Sequence, residues 1–319
     1  MRKDEKNRVT VGVASLSDLQ VTALAALSGV CFSGIGTAYK LGNSRSVSTC
    51  HILLGLCVVG MAACAPGAFP SQMRAPSLVW ILGVVAGLSQ YLTIRLIGKG
   101  LAMGSLSVVW CIVSLSFFPV IPYACFRFHK ALDLPQWLGL MAAVGCVLLA
   151  SFGGKPQAAP SLAAAPGAKA PPRRHLLFLL VLASILMGNS ISNIIQNHLS
   201  QTPVDSGTKY LKAYGAIWMF TLYASAGVAA LVDLAVRRRL AAPWKWMVAL
   251  GAMGGISSVS GILFQNAVSM YPMSFAINGS VGIIAAAVLS VVLFKERISP
   301  AWHATIALGI LAVVLGNLH

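Results

Sequence analysis

Ten apolar runs, separated by short polar breaks, make up nearly the whole chain. They span about Leu19–Tyr39, Val47–Ala65, Leu78–Ile97, Leu106–Phe126, Pro135–Phe152, Leu176–Leu199, Leu211–Leu234, Trp246–Val268, Met273–Phe294 and Ala301–Leu318. An α-helix needs ~20 apolar residues to cross ~30 Å of hydrocarbon, and most runs approach that length. Charges fall almost wholly in the breaks, so the pattern predicts an all-α integral membrane protein with ten transmembrane helices. The longest break, Gly153–Arg174, is rich in Ala, Pro and Gly and ends in a basic pair. Such a composition cannot pack a core and reads as a flexible tether. The chain then divides into an N-terminal tail at 1–18, a five-helix repeat at 19–153, a linker at 154–174 and a second five-helix repeat at 175–319.

An odd number of helices per set turns the second set upside down relative to the first. That is the inverted-repeat plan of many secondary transporters, with the substrate site near the middle of the membrane. Traces of a duplication fit it. Met103 and Ser107 answer Met270 and Ser274 at a spacing of 167, and Pro135 and Trp137 answer Pro300 and Trp302 at 165. Gly83, Gly87 and Ser89 answer Gly251, Gly255 and Ser257 at 168, while Ser33, Thr37 and Lys40 answer Asn189, Asn193 and Gln196 at 156.

Composition agrees with the pattern: 57% hydrophobic and 9% charged residues cannot make a soluble surface. The net charge of +16 is scattered through short loops rather than gathered in a patch, so it fixes topology and implies no nucleic-acid partner. With cytoplasmic termini, nine loop Lys and Arg would lie inside and thirteen outside, which favours the opposite orientation. Each half taken alone prefers its own first end inside, and five helices per half cannot satisfy both. The mixed charge of residues 1–18 and the length of the first run argue against a cleaved signal or a transit peptide. Seven cysteines lie in or at the ends of the runs with no CxxC, so neither a disulfide framework nor a metal site is expected. Cys50, Cys57 and Cys64 share a helix face, as small packing residues do.

The connector VLFKERISPAW with the final run ATIALGILAVVLGNLH, and the upstream stretch YACFRFHKALDLPQWLGLMAAVGCVLL, resemble the two repeats of EamA-type permeases in the drug/metabolite transporter superfamily. The resemblance covers nearly the whole chain. It departs at His129, which stands where the second copy has Glu296, and in a connector two residues longer. It implies a central cavity lined mainly by the first, third, fourth, sixth, eighth and ninth helices, with the fifth and tenth peripheral. It also implies export or import of amino acids, sugars, nucleotide sugars, phosphorylated metabolites or drugs by alternating access.

Polar side chains in a bilayer are costly and face protein or water. The densest cluster is MGNSISNIIQNH in the sixth run, where Asn189, Asn193 and Gln196 fall on one helix face. They form either a stripe that contacts substrate or one that binds helices together. Ser33, Thr37 and Lys40 repeat the stripe in the first run, Lys40 being near enough to an end to snorkel. Arg95 lies deeper, near Gln90 and Tyr91, and a guanidinium there either binds a substrate carboxylate or phosphate or pairs structurally with backbone carbonyls. Ser258 and Gln265 in the eighth run and Asn278 in the ninth complete the candidate substrate-binding set, among glycines that allow close packing.

All seven acids lie in tails, loops or run ends, so no carboxylate is placed to relay protons at mid-membrane; His51 or His198 would have to serve. GxSxG, HExxH and phosphate-loop motifs are missing from the sequence, which argues against an enzyme and against an ATP-driven pump. The expectation is a secondary transporter for a small polar organic metabolite, with an anion favoured by the bases near the cavity, in a multi-pass bacterial inner-membrane protein. Its partners would be a small-molecule substrate and lipid, with no cofactor or metal, and its state a monomer or a homodimer. The competing reading is a scaffold or a lipid-modifying membrane protein.

Overall fold

A computed structural model describes residues 16–69, 75–103, 106–117, 119–129, 131–153, 172–205, 208–238, 244–295 and 300–316. Within them lie eleven helices: α1 (Asp18–Ser44), α2 (Thr49–Ala68), α3 (Ser77–Met103), α4 (Leu106–Ser114), α5 (Val120–Phe128), α6 (Leu134–Gly153), α7 (Pro172–Gln201), α8 (Tyr210–Val236), α9 (Trp244–Val268), α10 (Pro272–Phe294) and α11 (Pro300–Gly316). The expected N-terminal tail before residue 16, the tether at 154–171 and Glu296 lie outside the described residues.

Local chemistry sets the helix starts. Ser17 accepts from the Gln20 backbone N–H while the Gln20 side chain accepts from the Ser17 N–H, a capping box that satisfies two otherwise orphaned donors. Ser48 caps α2 through the His51 N–H, and Pro272 opens α10, where its missing N–H costs nothing. Seven helices, namely α1, α2, α3, α7 from Leu176 onward, α8, α9 and α10, are long and apolar enough to cross a membrane. The chain is therefore a multi-pass, helical integral membrane protein. Exposed Ile81, Leu92, Val228, Ile256 and Val292 give these helices apolar outer faces of the kind lipid requires.

Two features depart from ten plain helices. The run expected as one helix at Leu106–Phe126 is divided into α4, a 3-10 turn at Leu115–Phe117, and α5. Pro119 explains the break: it has no N–H to give and disfavours helical geometry in the residue before it. The second departure is a small antiparallel ribbon, Pro203–Asp205 against Thr208–Lys209, in the connection between α7 and α8. A short connection between two long helices satisfies its backbone groups this way.

In the packing, α1 lies against α9 and α10, α3 against α7 and α8, and α2 against α8 and α9. α4 meets α10, and α6 meets α11 at the periphery. Glycines permit the closest crossings. A Cβ on Gly251 would lie 2.7 Å from the Gly55 Cα, and one on Gly83 would lie 2.7 Å from the Thr221 Cβ. Without a hydrophobic drive between helices in lipid, such close backbone approach is a main source of association. The largest buried side chains, Trp218, Tyr39 and Tyr223, belong to the core that joins α1, α2 and α8 to their neighbours.

Candidate functional site

A central cavity of about 1090 Å³, its open mouth included, runs between α1, α2, α3 and α4 on one side and α7, α8, α9 and α10 on the other. α6 and α11 supply none of its described walls. Among the described residues no Asp, Glu, Lys, Arg or His lines it. Its polarity comes from amides and hydroxyls, and its bulk from the rings of Phe32, Trp110, Trp218, Tyr223 and Phe275.

Two hydrogen-bond relays fix how the amides point. Where the helix breaks after α4, the Ser116 hydroxyl donates to the Val113 carbonyl at 2.7 Å. Its one proton is thereby used, so towards the amides it can only accept. It accepts from Asn189 Nδ2 at 2.6 Å and Asn193 Nδ2 at 2.7 Å, and Asn189 Nδ2 also donates to Val113 O at 3.2 Å. Across the cavity, Ser274 Oγ donates to the Val268 carbonyl at 3.0 Å and accepts from Gln265 Nε2 at 3.1 Å. That leaves Gln265 Oε1 to accept from Asn278 Nδ2 at 2.7 Å, while Ser28 Oγ, committed to Gly261 O at 2.8 Å, accepts from the same nitrogen at 2.9 Å. In both relays a backbone carbonyl dictates the direction of every bond after it. The carbonyl oxygens of Asn189, Asn193 and Asn278 accept no bond from a described residue and are not closed off from solvent. Those residues line the cavity, so it is these oxygens that they offer it.

Further polar pairs surround this set. Gln196 Nε2 donates to Asn266 Oδ1 at 2.6 Å, and the Tyr223 hydroxyl is 2.9 Å from Ser258 Oγ. Gln90 lines the cavity with no hydrogen bond to a described residue, and the buried Trp218 indole N–H has none either.

Six of the expected residues, Gln90, Asn189, Asn193, Gln196, Ser258 and Asn278, thus meet around one cavity. Gln265 stands behind the wall and holds Asn278. Ser33 and Thr37 turn back onto their own helix, donating to Val30 O at 2.6 Å and Ser33 O at 3.1 Å. Lys40 lies with its Nζ 4.4 Å from the centre of the Phe294 ring, away from the cavity lining.

Tyr91 and Arg95 belong to a different cluster. Arg95 Nη1 makes a 2.7 Å ion pair with Asp233 Oδ1 and a 3.2 Å bond to the Tyr91 hydroxyl. Arg237 Nε reaches the same carboxylate oxygen at 2.8 Å, and Cys50 Sγ donates to the other at 3.3 Å. The expectation that Arg95 holds a substrate anion is corrected here: its partner is a carboxylate of the protein. Nor do the two candidate proton carriers line the cavity. His51 Nδ1 is 2.7 Å from Ser48 Oγ, and His198 Nδ1 is 2.7 Å from the Tyr123 hydroxyl.

Sequence reasoning missed the aromatic wall and the share of α2 and α8 in it, through Leu56 and Cys57, and Trp218 and Tyr223. Aromatic residues in apolar runs look alike whether they face a core or a cavity, so no sequence signal separates them. Among the described residues, no three His, Cys, Asp or Glu side chains are grouped to hold a metal.

No family model matches the chain, and no curated protein matches it. Among solved structures 21 chains match. One crystal structure aligns at a TM-score of 0.62 over 93% of this chain and 96% of that one, with 18% identity. That likeness concerns the fold alone.

Proposed function

We propose that the chain is a secondary transporter of a small polar organic metabolite, on the EamA-type plan of the drug/metabolite transporter superfamily, in the bacterial inner membrane. In this reading α4, the 3-10 turn and α5 together count as one helix, and ten helices form two inverted halves. The helix contacts support it. Exchanging each helix for its counterpart five runs away turns the contact of α1 with α9 into that of α7 with α3, and the contact of α3 with α8 into that of α9 with α2. The same exchange returns α2 with α8, α4 with α10 and α6 with α11 to themselves.

Finer features follow the same rule. Gly83 and Gly87 press on Thr221 and Leu222 of α8, and Gly251 and Gly255 press on Gly55 and Leu56 of α2, with both pairs of partners 166 residues apart. His129 and Lys295, which close α5 and α10, are both left-handed, at φ 51° and 52°. This favours pairing His129 with Lys295 rather than with Glu296.

The observation that carries the proposal is the uncharged, amide-walled cavity shared by both sets of helices. Half-satisfied amides are costly in a membrane unless they meet water or a solute. Rocking of one half against the other would expose that cavity to each side in turn.

The test is the purified full chain, screened for solutes that raise its melting temperature and then assayed for uptake of those solutes in proteoliposomes. The expected result is a stabilising solute whose uptake falls when Asn189 or Asn193 is replaced by alanine. If these replacements lower stability in detergent but never change the flux of any solute, the amides bind helices together and the scaffold reading replaces this one.

A further inference from the structure

We infer that the cavity selects an organic cation, an amine or ammonium group carried on an apolar or aromatic body, and rejects carboxylates and phosphates. This rests on the transporter reading and specifies its substrate class. The argument comes from which atoms are left over. Asn189 Nδ2 donates to Ser116 and Val113 and Asn278 Nδ2 to Gln265 and Ser28, which uses both N–H groups of each, while Asn193 Nδ2 gives one of its two to Ser116, and the directions are set by backbone carbonyls that can only accept. Three amide oxygens on opposite walls remain, each carrying partial negative charge. Oxygens of this kind replace the hydration shell of a cation, as backbone carbonyls do in cation-selective pores.

The rings act in the same sense. Trp110, Trp218 and Tyr223 line the cavity, and the face of an aromatic ring attracts a cation through its quadrupole, most strongly when water is excluded. An anion finds little in return. The donors left over are neutral ones, the Gln90 amide, the Ser114 hydroxyl and the second N–H of Asn193, with no cationic side chain among the described residues, and the unpaired Trp218 indole N–H is buried out of reach. Arg95, the cation nearest in sequence to Gln90, is already paired with Asp233. Placing a carboxylate among outward-facing amide oxygens would bring like partial charges together in a poorly screened space.

The test compares three matched probes for binding to the purified full chain: 2-phenylethylammonium, 3-phenylpropanol and 3-phenylpropionate. Calorimetry and thermal shift are the readouts, beside two variants at Gln90. That side chain breaks no described hydrogen bond when changed, so Gln90→Glu adds a charge without dismantling a relay. The ammonium probe is expected to bind at least about tenfold more tightly than the propionate, and Gln90→Glu to tighten it by about another tenfold while Gln90→Lys weakens it by as much. Equal or tighter binding of the propionate overturns the inference but leaves a transporter for anions standing. If none of the three probes binds and Gln90→Glu creates no ammonium binding, the inference also fails. The transporter reading is then decided separately, by the solute screen and the Asn189 and Asn193 replacements.

Discussion

Helix α3 carries two polar sites five residues apart, and they solve the problem of polarity in a membrane in opposite ways. Gln90 faces the cavity, while Arg95, about 7.5 Å further along the helix axis, enters the cluster with Asp233, Arg237, Tyr91 and Cys50. In the cluster every strong charge is answered by another side chain. Around the cavity no described residue is charged, and Asn189, Asn193 and Asn278 make their side-chain bonds on the nitrogen side only. The contrast separates two roles that a list of polar residues would merge: charges that lock helices α2, α3 and α8 together, and dipoles left for a solute.

The largest effect expected from breaking this contrast is in the cluster. Asp233→Ala removes the one carboxylate that two guanidiniums share, leaving Arg95 with only the Tyr91 hydroxyl. Both ends of the Arg95 pair are partly buried, with side-chain exposures of 24% and 13%. The variant should lose about 2–3 kcal/mol of stability, read as a drop in melting temperature in detergent, since a half-buried charge without its partner is costly. Adding Arg95→Met to Asp233→Ala should recover part of the loss. A single variant as stable as the parent would show that the cluster is no lock.

Next in size is Ser116→Ala, on the cavity side. It removes the acceptor shared by Asn189 and Asn193 while Asn189 keeps its bond to Val113 O. Stability should fall by about 1–2 kcal/mol, the cost of an unsatisfied, partly buried donor. Solute binding should weaken more than that loss of stability alone would explain, because Asn193 can then turn its nitrogen to the cavity. Unchanged affinity in a stable variant would mean that amide direction does not matter to the ligand.

What the sequence made legible follows the same division. Apolar runs gave the helices because burial in lipid demands ~20 consecutive apolar residues, a constraint that leaves little ambiguity. The stripe of Asn189, Asn193 and Gln196 could be found because amides are rare in such runs and these share a face. The orientation of Asn189 and Asn193 could not, because it depends on Val113 and Ser116, more than seventy residues away in the chain. Arg95 was read as a candidate anion site for the same reason: its carboxylate partner, Asp233, is 138 residues further on and sits near a helix end. The break at Pro119 was present in the sequence, yet hydropathy averages over it, and a continuous apolar run conceals a change of backbone.

Arg95→Gln gives the smallest effect and the sharpest comparison. Unlike Asp233→Ala, it leaves no charge stranded, because Asp233 keeps Arg237 at 2.8 Å and Cys50 as a donor. Glutamine can still donate to the carboxylate, so the expected loss is about 1 kcal/mol or less, measured by thermal melting. Because Arg95 does not line the cavity, solute affinity should be nearly unchanged, which calorimetry on the same preparation can read. A variant that folds as the parent does but loses its affinity for an anionic solute would return Arg95 to the site. It would also mean that the ion pair opens during the transport cycle, making the lock itself part of the binding machinery.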